Sequence, residues 1–419
     1  MFALIRPGAA ALLLIPWIAA QAVAPLSLAE AERLALDYDA GMRAAQAQTR
    51  ALQAQAVAEG QLPDPQLSLG ATSLPVDSFS RTAEPMTQMT LGVSQAIPPG
   101  ATLRHRVARG EHQASAAQAA TAARERELLR ELRSAYLELS YQEAALDVIA
   151  ETRGLFVDIL AVTQSLYRTG RNDLQDVLAA RLELALLDDR NSALHADRDA
   201  AHAELQRWTG PLPAASTLPD RLPELPEPPP LEALQARLET HPLVAQASAQ
   251  VAAGQSAVEI ARQQYKPGWM LDLSYGVRSG REPDGMERSD LVSAMVTMDL
   301  PLFTGKRQDR RVAASVEETV GLRHQRDDLY RRLQRELDAE YSRWLRYRER
   351  EQGYAEDILP VARNNAESAL NAYRNNVTDF TALTRAQSAA LDSRLQALRV
   401  VVERLRAQAR LLYLAGEHP

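Results

Sequence analysis

The chain has 419 residues, 46% hydrophobic and 24% charged, with 47 basic against 54 acidic side chains, a formal charge of -7 and no cysteine. Disulfide scaffolds, cysteine-ligated zinc and a thiol nucleophile are thereby excluded, and the lack of a basic block excludes an electrostatically driven nucleic-acid binder. Aromatic residues make up only 5% of the chain, and Ala, Leu, Arg, Glu and Gln dominate long stretches, which favours long helices over compact globules.

Residues 1–22 carry one basic residue, Arg6, then the mostly apolar run Pro7 to Ala20 and the small-residue triplet Ala20-Gln21-Ala22. This is the form of a secretory signal peptide. Cleavage is expected after Ala22, because a cut after Ala24 would leave Pro25 next to the scissile bond. No cysteine follows to carry a lipid, so an exported protein that is not a lipoprotein is expected. No later apolar run reaches the roughly 18 residues of a spanning helix.

The remainder reads as two copies of one unit, 23–210 and 231–419, joined by a Pro-rich connector at 211–230. Tyr167-Arg168-Thr169-Gly170-Arg171-Asn172-Asp173-Leu174 lines up without gaps on Tyr373-Arg374-Asn375-Asn376-Val377-Thr378-Asp379-Phe380, and the same offset pairs Tyr141 with Tyr347 and Gly210 with Gly416. The connector's prolines cannot continue a helix and make a stiff, extended link.

Each copy reads as a helix, two strands, a very long helix, a sharp turn and a helix. The hairpins fall at about 65–97 and 269–300. In them Met89, Leu91 and Val93, Leu271, Leu273, Tyr275 and Val277, and Val292, Ala294, Val296 and Met298 each alternate with small or polar residues, the pattern of strands with one apolar face. Strands of about ten residues suit a tilted membrane crossing. Four strands cannot close a barrel, since the smallest membrane barrels use about eight, and open edges are forbidden in lipid. Hairpins that span a membrane therefore require oligomerisation.

The stretches 101–166 and 306–372 show no long loop signal, and each would reach about 100 Å as a helix. Gly154 and Pro360 occupy matching positions and are expected to bend both rods at one height. The turns fall at about 167–173 and 373–379. In the last helix Leu391, Leu395, Leu398, Val402, Leu405, Ala409 and Leu412 form a heptad seam. In the first copy Leu174, Val177, Leu178, Leu182 and Ala185 give the looser stripe of a packed helix.

The two-copy layout, the opening helix Leu26 to Leu36, the hairpin exits Pro98-Pro99-Gly100 and Pro301 to Gly305, and the Tyr-x-x-Gly tip at Tyr167 to Gly170 occur in one order. Together they resemble the TolC-type outer-membrane efflux factors over essentially the whole mature chain. The resemblance implies a mainly α fold with a small β part: a long α-helical coiled-coil tunnel plus four β-strands per chain, which contribute to a trimeric twelve-stranded membrane β-barrel. It implies a homotrimer in the outer membrane of a Gram-negative bacterium, with a large periplasmic part. It further implies a passive exit duct that docks on a periplasmic membrane-fusion adaptor and an inner-membrane pump of the RND type. The segments Leu74-Pro75-Val76-Asp77-Ser78-Phe79 and Glu84-Pro85-Met86-Thr87-Gln88 are similar to heavy-metal efflux members of the cobalt-zinc-cadmium or copper-silver kind. A multidrug or type I protein-secretion duct is the alternative cargo. A soluble periplasmic coiled-coil adaptor is the alternative of another class, though it would carry one helical hairpin and not two complete copies.

Asn172-Asp173 and Thr378-Asp379 follow each turn and precede an amphipathic helix. By themselves they read as helix caps, with Asn172 or Thr378 accepting the first free N–H and the Asp favouring the positive helix end. The resemblance adds that Tyr167, Gly170, Asn172, Asp173, Tyr373, Asn376, Thr378 and Asp379 form the periplasmic tip that touches the adaptor. It makes Asp176 and Arg385 gate candidates, although Ala382 stands where the second copy would match Asp176.

The strand methionines Met86, Met89, Met270, Met295 and Met298 read as wall or lipid-facing packing, because residues three apart on a strand face opposite sides. His105 with His112 and His195 with His202 stand about 10 Å apart on a helix face, too far for one ion. No phosphate loop, HExxH helix or GxSxG elbow is present. No enzyme, cofactor or resident metal is expected.

Overall fold

The computed structural model describes residues 25–212 and 217–416. The export signal expected at 1–22 lies outside the described residues. The described residues are 69% helical with one four-stranded antiparallel sheet. The first repeat contains α1 (Leu28–Tyr38), α2 (Ala40–Glu59), β1 (Gln66–Thr72), β2 (Gln88–Ile97), α3 (Thr102–Arg168) and α4 (Leu174–Thr209). The second contains α5 (Leu231–Arg237), α6 (Pro242–Gln263), β3 (Trp269–Arg278), β4 (Leu291–Met298), α7 (Gln308–Gly353), α8 (Leu359–Arg374) and α9 (Phe380–Ala415).

Helix α3 runs 67 residues and packs against α1, α2, α4, α6 and α9. It is long enough that separate clusters bury different parts of it. Near the connector Leu128, Leu132 and Tyr136 meet Ala31, Ala35, Leu205 and Trp208. The second repeat builds the equivalent cluster from Leu234, Leu238, Leu337, Trp344, Leu411 and Leu414. Further along, Ile149 and Phe156 of α3 meet Leu187 of α4 and Leu391 and Leu395 of α9, which joins the two repeats side by side. The connector is anchored: Leu222 and Leu225 pack against Val402 and Leu405, and the Gln408 amide donates to the Leu225 and Pro226 carbonyls at 2.8 and 2.7 Å.

The sheet has order β1-β2-β3-β4. Its register places Leu67, Val93, Leu273 and Ala294 in one row and Leu69, Leu91, Tyr275 and Val292 in another. The row between them is Ser68, Gly92, Ser274 and Ser293. Because side chains alternate faces along a strand, one face is almost wholly aliphatic and aromatic, and the other is mostly hydroxyl, amide and glycine. The apolar face is uncovered, with Leu67 and Leu69 exposed at 68% and 78%. No helix among the described residues is long and apolar enough to cross a membrane.

Two expectations are corrected. Gly154 does not interrupt its rod: α3 passes through it, because glycine keeps its N–H and only weakens a helix. Pro360 has no N–H to give and crowds the preceding turn, and the helix widens to a π turn at Tyr354–Ile358 before α8 begins. The two rods therefore differ at this height, one continuous and one carrying a π turn. Nor is the α4 stripe packed within the chain. In the first half of α4, Val177, Ala180 and Leu187 are buried toward the rest of the chain, while Leu174, Leu178, Leu182 and Ala185 are exposed. The period is that of a packed helix, but this face points away from α3.

A Cβ built on Gly110 would lie 2.8 Å from Ala56 Cα, whereas one on Gly154 meets nothing within 4 Å. Gly110→Ala is expected to cost about 1–3 kcal/mol by forcing α2 and α3 apart, and Gly154→Ala to gain up to about 1 kcal/mol. Denaturation midpoints of the two variants check the opposite signs.

His241 caps α6, its Nδ1 accepting from Leu243 N at 3.3 Å, and it is 1% exposed with its ring edge-on to Tyr413 at 5.4 Å. Burial, and after it the nearby Arg126, pull its pKa down to about 4. The unfolded chain, at about 6.5, then binds the proton more readily. Stability is expected to be intact above about pH 6.5 and to fall progressively toward pH 4, by on the order of 3 kcal/mol in all. His241→Asn keeps a capping acceptor and should flatten that slope in denaturation midpoints measured across the same range.

Candidate functional site

The two tip turns are built by the same backbone device. After α3, Arg171 N donates to Leu166 O at 2.9 Å and Gly170 N to Tyr167 O at 3.0 Å, with Gly170 at φ +71. After α8, Val377 N donates to Ala372 O at 2.8 Å and Asn376 N to Tyr373 O at 3.0 Å, with Asn376 at φ +60. Both are Schellman closures, which need a residue tolerant of the left-handed region. Glycine fills that place in one repeat and asparagine in the other.

Capping differs from the expectation. Asp379 is the cap of α9, its carboxylate accepting from Ala382 N at 2.7 Å, and Thr378 is not. Asp173 occupies the equivalent place on α4 without a side-chain bond to the helix. Asn172 caps nothing. Its Nδ2 donates to Asp176 Oδ2 at 3.0 Å and to the Tyr373 hydroxyl at 2.7 Å.

Tyr373 is the point where the two tips meet. It is 2% exposed, lies edge-on to Phe380 at 5.8 Å, and shares a cluster with Ile159, Ala180 and Leu383. Its hydroxyl also bonds Thr163 Oγ1 at 3.0 Å. The matching Tyr167 is 45% exposed and lies outside that cluster. Asn172, Asp176 and Tyr373 are thus brought together across the repeats. Tyr167, Gly170, Asn376 and Asp379 present themselves to solvent, and Arg385 is exposed and is not among the charges that act on Asp176. Thr163 carries no motif in the sequence. Its only signal is a small polar residue on a stripe shared with Ile159 and Leu166.

Burial, and after it the charges of Asp173 and Asp379, raise the Asp176 carboxyl above the usual range.

At the other end of the molecule, the loops that close the two hairpins are tied together by arginine. Arg288 Nη1 donates to the Thr82, Glu84 and Ser279 carbonyls at 3.3, 2.9 and 3.3 Å, and Arg278 Nη1 donates to Pro85 O at 3.3 Å. Among the described residues no group of three or more His, Asp or Glu side chains is placed to hold a metal.

A family model described as outer membrane efflux protein matches residues 33–211 and 233–417. No curated protein matches the chain. Among solved structures, a membrane protein from Pseudomonas aeruginosa superposes with a TM-score of 0.80 at 16% identity, over 93% of this chain and 92% of that one. The outer membrane protein VceC from Vibrio cholerae gives 0.78 at 18% identity, over 93% and 96%. CusC, described in terms of folding and transmembrane channel formation, gives 0.78 at 15% identity, over 94% and 93%. At such identities the superpositions establish the fold, and the family model, matched across both repeats, establishes the kinship. The chain belongs to the outer membrane efflux protein family, the TolC-type channels.

Proposed function

We propose that this outer-membrane efflux channel works as a homotrimer, passing heavy-metal cations passively from an inner-membrane RND pump and a periplasmic adaptor to the exterior. The observation that carries the channel reading is the sheet. One face is apolar and uncovered, and β1 and β4 each leave one edge unpaired among the described residues. Such edges cannot stand in hydrocarbon, and three copies joined edge to edge close twelve strands, within the range of membrane barrels. The exposed α4 stripe supports the same assembly. It faces away from its own chain, as do Ile358 and Val361 at the start of α8, which gives the chain two unmatched apolar surfaces suited to a head-to-tail ring.

The joined turns at Tyr167–Asp173 and Tyr373–Asp379 are the end that meets the adaptor, and the Asn172–Tyr373 contact with Asp176 holds it closed. Metal as cargo rests on the likeness of the 74–79 and 84–88 segments to heavy-metal members. Export follows from the signal at 1–22.

Growth of a deletion strain across Cu, Ag, Zn, Cd and Co salts, alongside dyes and antibiotics, tests the cargo. Metal sensitivity restored by the intact gene is the expected result, and sensitivity to dyes and antibiotics alone would discard the metal assignment while leaving the channel. The protein is expected in the outer-membrane fraction at the mass of three chains. Recovery in the soluble periplasm would reject the channel.

The tip reading predicts a pH effect. Because the Asp176 pKa is raised in the joined tip, acidification favours the closed arrangement, and a rise in pH through that range weakens it. Conductance in planar bilayers should therefore be lower in acid than at neutral pH. Asp176→Asn should flatten the profile, and Tyr373→Phe, which loses both hydroxyl partners, should raise conductance throughout.

A further inference from the structure

We propose that Met270 and Met295, with Asp272, form a soft-cation contact site on the polar face of the sheet, taking Ag(I) or Cu(I). The inference rests on the channel reading, in which that face lines the lumen. Pairing puts Met295 directly opposite Asp272 and Met270 opposite Thr297, so the two methionines are diagonal neighbours on one face with the carboxylate beside both. Directly opposed Cβ atoms lie about 4.5–5.5 Å apart and diagonal ones about 7–8 Å, a span that two flexible thioether side chains close. Met89 and Met298 fall in the rows of the opposite, apolar face, where packing against lipid accounts for them.

Lipid does not account for Met270 and Met295. Their neighbours on that face include Ser94, Asp272, Ser293 and Thr297, and they are 39% and 60% exposed. Two large apolar side chains on a hydrophilic wall carry a cost that aliphatic packing does not offset. What distinguishes methionine from leucine there is the thioether sulfur, a neutral soft ligand that suits Cu(I) or Ag(I), while the carboxylate balances the charge. The pairing of strands, which residue spacing within one strand does not give, is what unites them. Each copy of the chain carries its own site, because a twelve-stranded barrel is too wide for one ion to be shared. A contact of two thioethers and one carboxylate, open to water, is also weak enough to release the ion, as conduction demands.

The test is silver binding to the purified full-length protein in detergent, by titration with silver nitrate in chloride-free buffer and elemental analysis of the dialysed complex. The expected result is that Met270→Leu/Met295→Leu, which keeps apolar bulk, loses one silver ion per chain relative to wild type. Each single change and Asp272→Asn should weaken binding by about tenfold or more, while Met89→Leu and Met298→Leu leave it unchanged. Equal silver binding by wild type and the double variant, or none by wild type, overturns the site. A double variant that fails to assemble leaves the decision to the two single variants and Asp272→Asn, and silver affinity unchanged in all three overturns it. Conductance measured on the same wild-type preparation separates the two ideas. Silver bound at these residues without a pore would reject the channel and keep the cation contact, and a pore with no methionine-dependent silver would do the reverse.

Discussion

A helix of 67 residues has no compact core to lie against, and the rest of this molecule follows from covering α3 along its length. Different partners serve different stretches: α1 and the end of α4 near the connector, α9 and the middle of α4 further on, and Tyr373 with Phe380 at the tip. Each cluster is small, so no single one fixes the fold. The repeat supplies a matching set of helices, and α9 of the second copy lies on α3 of the first. The two copies are thus not separate domains placed in series. They share one beam, and the stiff connector, tied down by Gln408, only has to return the chain to the starting end.

The two halves carry elements in matching order, and the structure uses them differently. Tyr373 is buried and Tyr167 exposed; Asp379 caps its helix and Asp173 does not; Pro360 opens a π turn and Gly154 leaves its helix regular. The exposed Leu178, Leu182 and Leu186 are matched in the second copy by Thr384, Ser388 and Asp392. Identical halves would tend to pack interchangeably. Divergent ones give each surface a distinct complement, which is what a head-to-tail contact between copies needs.

How much of this the sequence discloses depends on whether the deciding interaction is local. The α9 seam was readable because Leu391, Leu395, Val402, Leu405 and Leu412 are all buried at the heptad spacing. The strands were readable from alternation, and the tip turns from matching positions. The α4 stripe is legible as an apolar face, but periodicity does not report which chain covers it, and within this chain only Val177 of the stripe is buried. The capping positions lie one residue later than the sequence suggests: Asn172 and Asp173 are both good caps, and the Asn172 amide is engaged by Asp176 and by the distant Tyr373 hydroxyl. Thr163 lies 210 residues from its partner Tyr373, and nothing within its own helix marks it.

The sheet shows the same limit from the other side. Alternation within each strand fixes which residues share a face of that strand, but not which faces of neighbouring strands coincide. Register does that, and a slip of one residue would exchange the two faces of a strand. Here the observed pairing stacks Leu67, Val93, Leu273 and Ala294 in one row and Ser68, Gly92, Ser274 and Ser293 in the next, so a single slipped strand would set an apolar row into the polar wall and a polar row into the apolar one. In water that error is tolerable, since both faces of an isolated sheet are wet. Against hydrocarbon it is not, because each buried, unpaired polar group costs several kcal/mol. The contrast between the faces therefore specifies register most strongly once the apolar face is covered, and the same burial that forbids open edges also selects the pairing that closes them.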